Sequence, residues 1–211
     1  LCEINVKDFR EALKQTTFAA LKAKETTRLS LTGVNTILKE GRMKLVATNG
    51  YRMALRSIHI SDGEELDGKF LIESTALQEF DRILSSSSSE KIELSASDSE
   101  IFFATDGVIF SDKLIMEEFP DFEGVIPKNN DLPFELNRGG FLETLRRAEI
   151  TAVEESGAVQ LKATEGGDQL EISSSSPEKG EFKENIELDT PSKGDITISF
   201  KGEFLIDALR R

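Results

Sequence analysis

His59, Cys2 and Tyr51 are each the sole residue of their type among 211, and that scarcity limits the chemistry open to the chain. Without a second His or Cys there is no Cys/His zinc set, no Cys–His nucleophilic couple and no two-His metal face. His59 could complete a Ser-His-Asp arrangement, but it lies in the alternating run Arg56-Ser57-Ile58-His59-Ile60, which reads as a strand in which the imidazole has an ordinary structural role. The 15 glycines form no phosphate-binding loop of the Walker or dinucleotide type. A carboxylate-based hydrolase needs two acids converging in a cleft; with 39 Asp and Glu, chance pairs abound and no motif marks one. The expectation is a non-catalytic chain without metal or cofactor.

The same acids set the charge. Against 26 Lys and Arg they give −13 at pH 7, with 38% hydrophobic and 31% charged residues, the balance of an ordinary globular protein. A length prior of roughly 100 to 200 residues per domain allows one large domain or two small ones. No apolar run approaches the roughly 20 residues of a membrane span, and no signal peptide is legible at the N-terminus. The lone cysteine fits a reducing compartment, so the expected location is the cytoplasm. Taken whole, the acidity argues against nucleic acid and anionic membranes, because phosphate binding needs a positive footprint.

The elements that position these residues emerge from an internal repeat. Val6-Lys7-Asp8-Phe9-Arg10-Glu11-Ala12-Leu13 has its counterpart in Arg138-Gly139-Gly140-Phe141-Leu142-Glu143-Thr144-Leu145, an offset of 132. Phe9 and Leu13, like Phe141 and Leu145, are spaced i, i+4 and share a helix face. Short alternating segments, residues 2–6 and 132–136, precede both helices. A second pair follows at an offset of about 126: residues 69–73 lead into a helix over 74–84, and 195–199 into one over 200–211. Ser74 is the expected N-cap of the former, with Leu77, Phe80 and Leu84 as its apolar stripe. Period-two segments at 44–48, 53–60, 91–94, 101–104, 108–110, 159–163, 169–173 and 182–188, separated by Gly-containing turns, are read as strands. The serine run 85–89 is a polar connection. The fold class is α+β, repeated units of two helices packed on antiparallel sheets. The first unit continues for about 40 residues past its second helix, whereas the second stops inside its own. Together with a first residue that is Leu, this leads us to expect a piece of a longer protein.

One combination of motifs carries a family. Leu31-Thr32-Gly33-Val34, Leu45-Val46-Ala47-Thr48-Asn49-Gly50-Tyr51-Arg52-Met53-Ala54, Lys113-Leu114-Ile115 and Phe119-Pro120-Asp121-Phe122-Glu123-Gly124-Val125-Ile126-Pro127 together resemble the bacterial replicative sliding clamp, the beta subunit of DNA polymerase III, in its second domain and part of its third. Asn49 stands in place of the usual Asp, Met53 of Leu and Phe122 of Tyr. The resemblance spans essentially the whole chain. It implies a DNA-clamp fold, with 1–127 as the second clamp domain and 128–211 as the third, C-terminally incomplete. It implies a non-catalytic accessory subunit of a DNA-directed DNA polymerase: a homodimeric ring that encircles duplex DNA without reading sequence and confers processivity. Its partners would be the DNA polymerase III catalytic subunit, the clamp loader, and other polymerases and repair proteins that dock through clamp-binding peptides.

By position, the resemblance places the peptide pocket at Leu31, Thr48, Gly50, Tyr51, Arg52, Met53, Pro120 and Val125. Leu31, Met53, Pro120 and Val125 supply an apolar floor, and a flexible methionine adapts to varied ligands. Arg52 can donate to a backbone carbonyl or a carboxylate at the rim. Gly124 stands where some members carry a basic residue. Read alone, Thr48-Asn49-Gly50-Tyr51 is simply a tight hairpin turn. The subunit junction would lie at Ile150 and Thr151, though domain one, the other side of that junction, is absent, so these 211 residues should not close a ring.

If helices line the hole, charge should be segregated. Over 7–22, 74–84, 138–149 and 200–211 there are 11 bases and 8 acids, +3, leaving 15 and 31, −16, for the rest. Lys7, Arg10 and Lys14 form a stripe at i, i+3, i+7, and Arg82, Arg146, Arg147, Lys201 and Arg210 extend the DNA-facing set, with Lys24 and Arg28 near the ring face. The plain alternative is that these are solvated helix charges, and the rival function is an acidic, non-catalytic protein-interaction scaffold without DNA contact.

Overall fold

The computed structural model describes residues 2–61, 67–129, 132–152 and 157–211. Two compact units divide it, Leu1–Phe122 and Glu123–Arg211.

The first unit runs β1 (Cys2–Asn5), α1 (Val6–Thr16), β2 (Gly33–Lys39), β3 (Arg42–Thr48), β4 (Met53–His59), β5 (Gly68–Glu73), α2 (Ser74–Ser85), β6 (Lys91–Ala96), β7 (Glu100–Thr105) and β8 (Val108–Lys113). It is itself two halves of one plan: a strand, a helix, then three antiparallel strands. The leading strands are exchanged. β1 joins β6, β7 and β8 of the other half, and β5 joins β2, β3 and β4, giving sheets ordered β1-β6-β7-β8 and β4-β3-β2-β5. The open edges are closed against each other: Glu3 and Ser61 exchange backbone hydrogen bonds at one seam, and Ile115 N–H donates to Leu71 C=O over 2.8 Å at the other, so few edge groups are left to template aggregation. Between the layers lies an aromatic cluster, with Phe80 of α2 4.9 Å from Phe103 and 5.1 Å from Phe110, and Phe9 of α1 5.6 Å from Phe103. Phe9, Phe80 and Phe103 are fully buried; truncating one to Ala costs about 3–5 kcal/mol.

The second unit contains α3 (Arg138–Thr151), β9 (Ala158–Ala163), β10 (Gln169–Ser176), β11 (Gly180–Glu187), β12 (Ile196–Lys201) and α4 (Gly202–Leu209). Its sheet order, β11-β10-β9-β12, reproduces β4-β3-β2-β5. α3 lies on β9, β10 and β11 and against α4. The core gathers Phe141, Leu145 and Ala148 from α3, Val159 and Leu161 from β9, Leu170 and Ile172 from β10, and Ile206 from α4, so the i, i+4 spacing of Phe141 and Leu145 is the packing stripe expected of it.

Several boundaries differ from the sequence expectation. Ser74 is not the N-cap of α2: Glu73 occupies that position without a side-chain cap, and Ser74 is the buried first helical residue. The strand β5 runs straight into the helix, so its last residue takes the cap place. For the same reason Lys201 is the last residue of β12 rather than part of a helix, and α4 begins at Gly202. Leu31 closes a 3-10 turn (Leu29–Leu31) just before β2 starts at Gly33, a strand absent from the period-two segments. α1 ends at Thr16 and passes into a 3-10 turn, Thr17–Ala19, where the hydroxyls of Thr16 and Thr17 donate back to Ala12 and Leu13 carbonyls and compete with the continuing helix ladder. In the segment expected before α3, Leu136 alone makes a bridge, to Leu188.

Candidate functional site

The hairpin joining β3 and β4 is built by Asn49 and Gly50. Asn49 Oδ1 accepts from the Tyr51 and Arg52 N–H groups at 3.0 and 2.9 Å, and Thr48 Oγ donates to Arg52 C=O over 2.7 Å while accepting from Gly50 N–H. The side chains thus replace ladder bonds across the turn. Gly50 sits at φ +88°, where a side chain is strained even though an added Cβ would meet nothing within 4 Å. The turn holds Tyr51 out, 89% exposed. Pairing Thr48 with Met53 across the hairpin, and the start of β2 with the end of β5, gathers Thr48, Met53 and Leu31 at one end of the β4-β3-β2-β5 sheet.

Pro120 belongs to a strap laid over that end. After Ile115 docks on Leu71, Glu117 Oε2 accepts from Ser30 N–H over 2.8 Å, beside Leu31. Buried Phe122 then stacks edge-on against Phe119 and sits under Lys44 of β3, whose Nζ is 5.8 Å from the ring. Seven of the eight pocket candidates therefore fall in the first unit. Val125 falls in the second, where it is 68% exposed in a short 3-10 turn.

Arg52 is committed inside the fold. Its Nη2 donates to Phe18 C=O over 2.7 Å, and the guanidinium lies 5.1 Å from the centre of the Phe18 ring. Sequence reasoning missed Phe18, which it read as a continuation of α1; nothing in the spacing marks a pair 34 residues apart.

The cation set divides. Lys7, Lys14, Lys24, Arg28, Arg146 and Arg210 are exposed and make no ion pair among the described residues. Arg10 instead turns to Asp81 of α2, with Nε donating over 2.7 Å, Arg82 pairs with Glu79, and Lys201 with Glu203 at 2.9 Å. Arg147 reaches down to β11 and grips Glu184 at two points while also donating to Thr144 Oγ1. The hydrogen bonds from Arg147 first, and one that Thr144 Oγ1 donates to Glu184 over 2.8 Å second, hold the Glu184 carboxyl below its ordinary range, and the contact with Glu184 lifts the Arg147 guanidinium above its own. The charge count also changes with the observed bounds. Lys22, Lys201, Arg210 and Arg211 fall outside the helices, which hold seven bases and eight acids, −1, against −12 elsewhere. The helices are near neutral rather than positive.

At the end of α3, Ile150 is 68% exposed, whereas the Thr151 hydroxyl is satisfied internally, 2.7 Å from Ser174 Oγ. Asp112 of β8 is a further acid in an unusual setting: burial pushes its carboxyl up, and Oδ2 has no hydrogen-bond partner among the described residues. No group of three or more His, Cys, Asp or Glu among the described residues could hold a metal ion.

Known proteins match over the full extent of both units. The model of the DNA polymerase III beta subunit, central domain, covers residues 3–121, and that of the C-terminal domain covers 123–211. The beta sliding clamp of Staphylococcus aureus is 30% identical over 208 residues, spanning 99% of this chain and 54% of the relative, and that of Staphylococcus epidermidis gives the same figures. Among solved structures, the DNA polymerase sliding clamp from Bacillus subtilis superposes with a TM-score of 0.91 at 29% identity, over 99% of this chain and 54% of its own. The beta subunit from Thermotoga maritima gives 0.89 at 26%, over 99% and 55%. The chain spans about half the length of the curated relatives it matches. With strand order, helix placement and both family models in agreement, this chain belongs to the DNA polymerase III beta subunit family.

Proposed function

We propose that this chain is part of a sliding clamp, a non-catalytic ring that encircles duplex DNA and tethers a replicative polymerase to it. The observation that carries the reading is the family match over both units. On this reading, 1–127 and 128–211 act as consecutive clamp domains of a cytoplasmic homodimer. Lys7, Lys14, Lys24, Arg28, Arg146 and Arg210 face the DNA phosphates, and Ile150 contributes to the subunit junction. These exposed cations, unpaired among the described residues, suit sequence-independent phosphate contact, which needs charge without base readout. The acidic remainder disfavours DNA on other surfaces. No helix among the described residues is long and apolar enough to cross a membrane.

Leu31, Thr48, Gly50, Tyr51, Met53 and Pro120 of the first unit form the docking site for clamp-binding peptides of the DNA polymerase III catalytic subunit, the clamp loader and other polymerases and repair proteins. The exposed Tyr51 ring and half-buried Met53, held on a rigid turn, suit capture of apolar peptide side chains. Primer extension on a long single-primed template tests the reading. With the protein as its source makes it, a clamp loader and the replicative polymerase, products should lengthen many-fold over polymerase alone; unchanged product length would overturn it.

A further inference from the structure

We infer that Phe18 is a positioning residue of the peptide-docking turn, acting through Arg52 without touching the peptide; this rests on the docking site proposed above. Leaving α1, the chain makes two tethers within four residues. The Phe18 carbonyl accepts from Arg52 Nη2, with the guanidinium over its ring, and Leu21 N–H donates to Leu31 C=O over 2.8 Å. Both ends of the docking site in the first unit, the hairpin turn and the Leu29–Leu31 turn, are thereby pinned to one short segment.

Arg52 is suited to this role. It is half-buried, its backbone N–H and C=O close the turn with Asn49 and Thr48, and its planar fork can hydrogen-bond and stack at once, which lysine cannot reproduce. The position that the sequence assigns to the rim is engaged with the body of the fold. What Arg52 contributes to a peptide is therefore the fixed placement of Tyr51 and Met53 on either side of it. Preorganisation of this kind raises affinity by removing the ordering cost from the binding step.

The test is titration calorimetry with a synthetic Gln-Ala-Ser-Leu-Phe peptide on the protein and on Phe18→Leu, Arg52→Lys, the double variant and Met53→Ala, below the melting temperature of each. Phe18→Leu keeps the bulk and loses the aromatic face, and should weaken binding about 3- to 10-fold, the range of a partly buried cation–π contact. Arg52→Lys should lose at least as much, since it also disturbs the hydrogen bond to the Phe18 carbonyl that Phe18→Leu keeps, and the double variant no more than Arg52→Lys, since the ring contact is then removed twice. Amide resonances of Gly50 and Tyr51 should shift alike in both. Wild-type affinity in Phe18→Leu with loss in Arg52→Lys means that the Phe18 ring does not position the turn, and overturns the inference. So does full additivity. If Phe18→Leu fails to fold, Arg52→Lys decides through the Gly50 and Tyr51 resonances: unmoved resonances overturn the inference. Unchanged affinity in Met53→Ala overturns the docking site itself, a separate failure.

Discussion

Arg147 on α3 and Glu184 on β11 stand 37 residues apart and meet as a forked pair, Nε donating to one carboxylate oxygen over 3.0 Å and Nη2 to the other. Its neighbour Arg146 points to solvent. Two adjacent arginines that look equivalent in the sequence therefore have different expected effects on DNA. Arg146→Ala should lower duplex affinity uniformly across sequences and reduce the slope of log K against log salt by about 0.9, one phosphate contact. Arg147→Ala should leave that slope unchanged and lower the melting temperature instead. Fluorescence anisotropy of labelled duplex across a salt series checks both.

The same pair sets an acid response. Glu184 is held below its ordinary range, so the folded state binds fewer protons than the unfolded one there. Its contribution is complete above the ordinary carboxylate range and disappears as pH falls through the lowered value. Asp112, pushed up by burial, has the opposite sign: its ionised form is disfavoured in the fold, so protonation favours folding as pH falls through the raised value. Melting curves from neutral to acid pH should show Glu184→Gln less stable at pH 7, with the deficit closing toward low pH. Asp112→Asn should be more stable at pH 7, with its advantage shrinking on acidification.

Asn5 and Asn137, 132 residues apart, cap α1 and α3 identically, Oδ1 accepting from the N–H of the third residue on, Asp8 at 3.1 Å and Gly140 at 2.9 Å. Replacing either by Ala should cost about 1 kcal/mol, and Gly should cost only a few tenths. Thermal or denaturant unfolding of the four variants measures this.

Gly50→Ala should cost about 1–2 kcal/mol, the left-handed penalty of an L residue, because φ +88° is imposed by the Asn49 and Thr48 side-chain bonds while space for a methyl is open. Peptide affinity should fall with it. A variant as stable as the parent would mean that the turn adopts another conformation.

What was legible in the sequence was periodic. The i, i+4 phenylalanine–leucine pairs located the buried helix faces, and the 132-residue offset was realised in matching caps and the same sheet order. The exchange of β1 and β5 between halves was not legible, because pairing partners far apart in the chain leave no local mark. Ser74 misled because a good capping residue followed a strand that runs directly into the helix. Lys201 misled because its neighbours Phe200 and Gly202 fit strand and helix patterns alike. For the candidate site, residue types and the turn were readable; the engagement of Arg52 by Phe18 and of Arg147 by Glu184 was not, since it depends on tertiary proximity alone.

The central claim, that the protein acts by encircling DNA, is tested most directly by topological retention. Labelled protein, as its source makes it, is loaded by a clamp loader onto a nicked circular duplex, separated from free protein by gel filtration, and the DNA is then cut once. Association that survives moderate salt on the circle and is lost within minutes of linearisation is the predicted result. Equal retention on circle and linear DNA, or none on either, would contradict it.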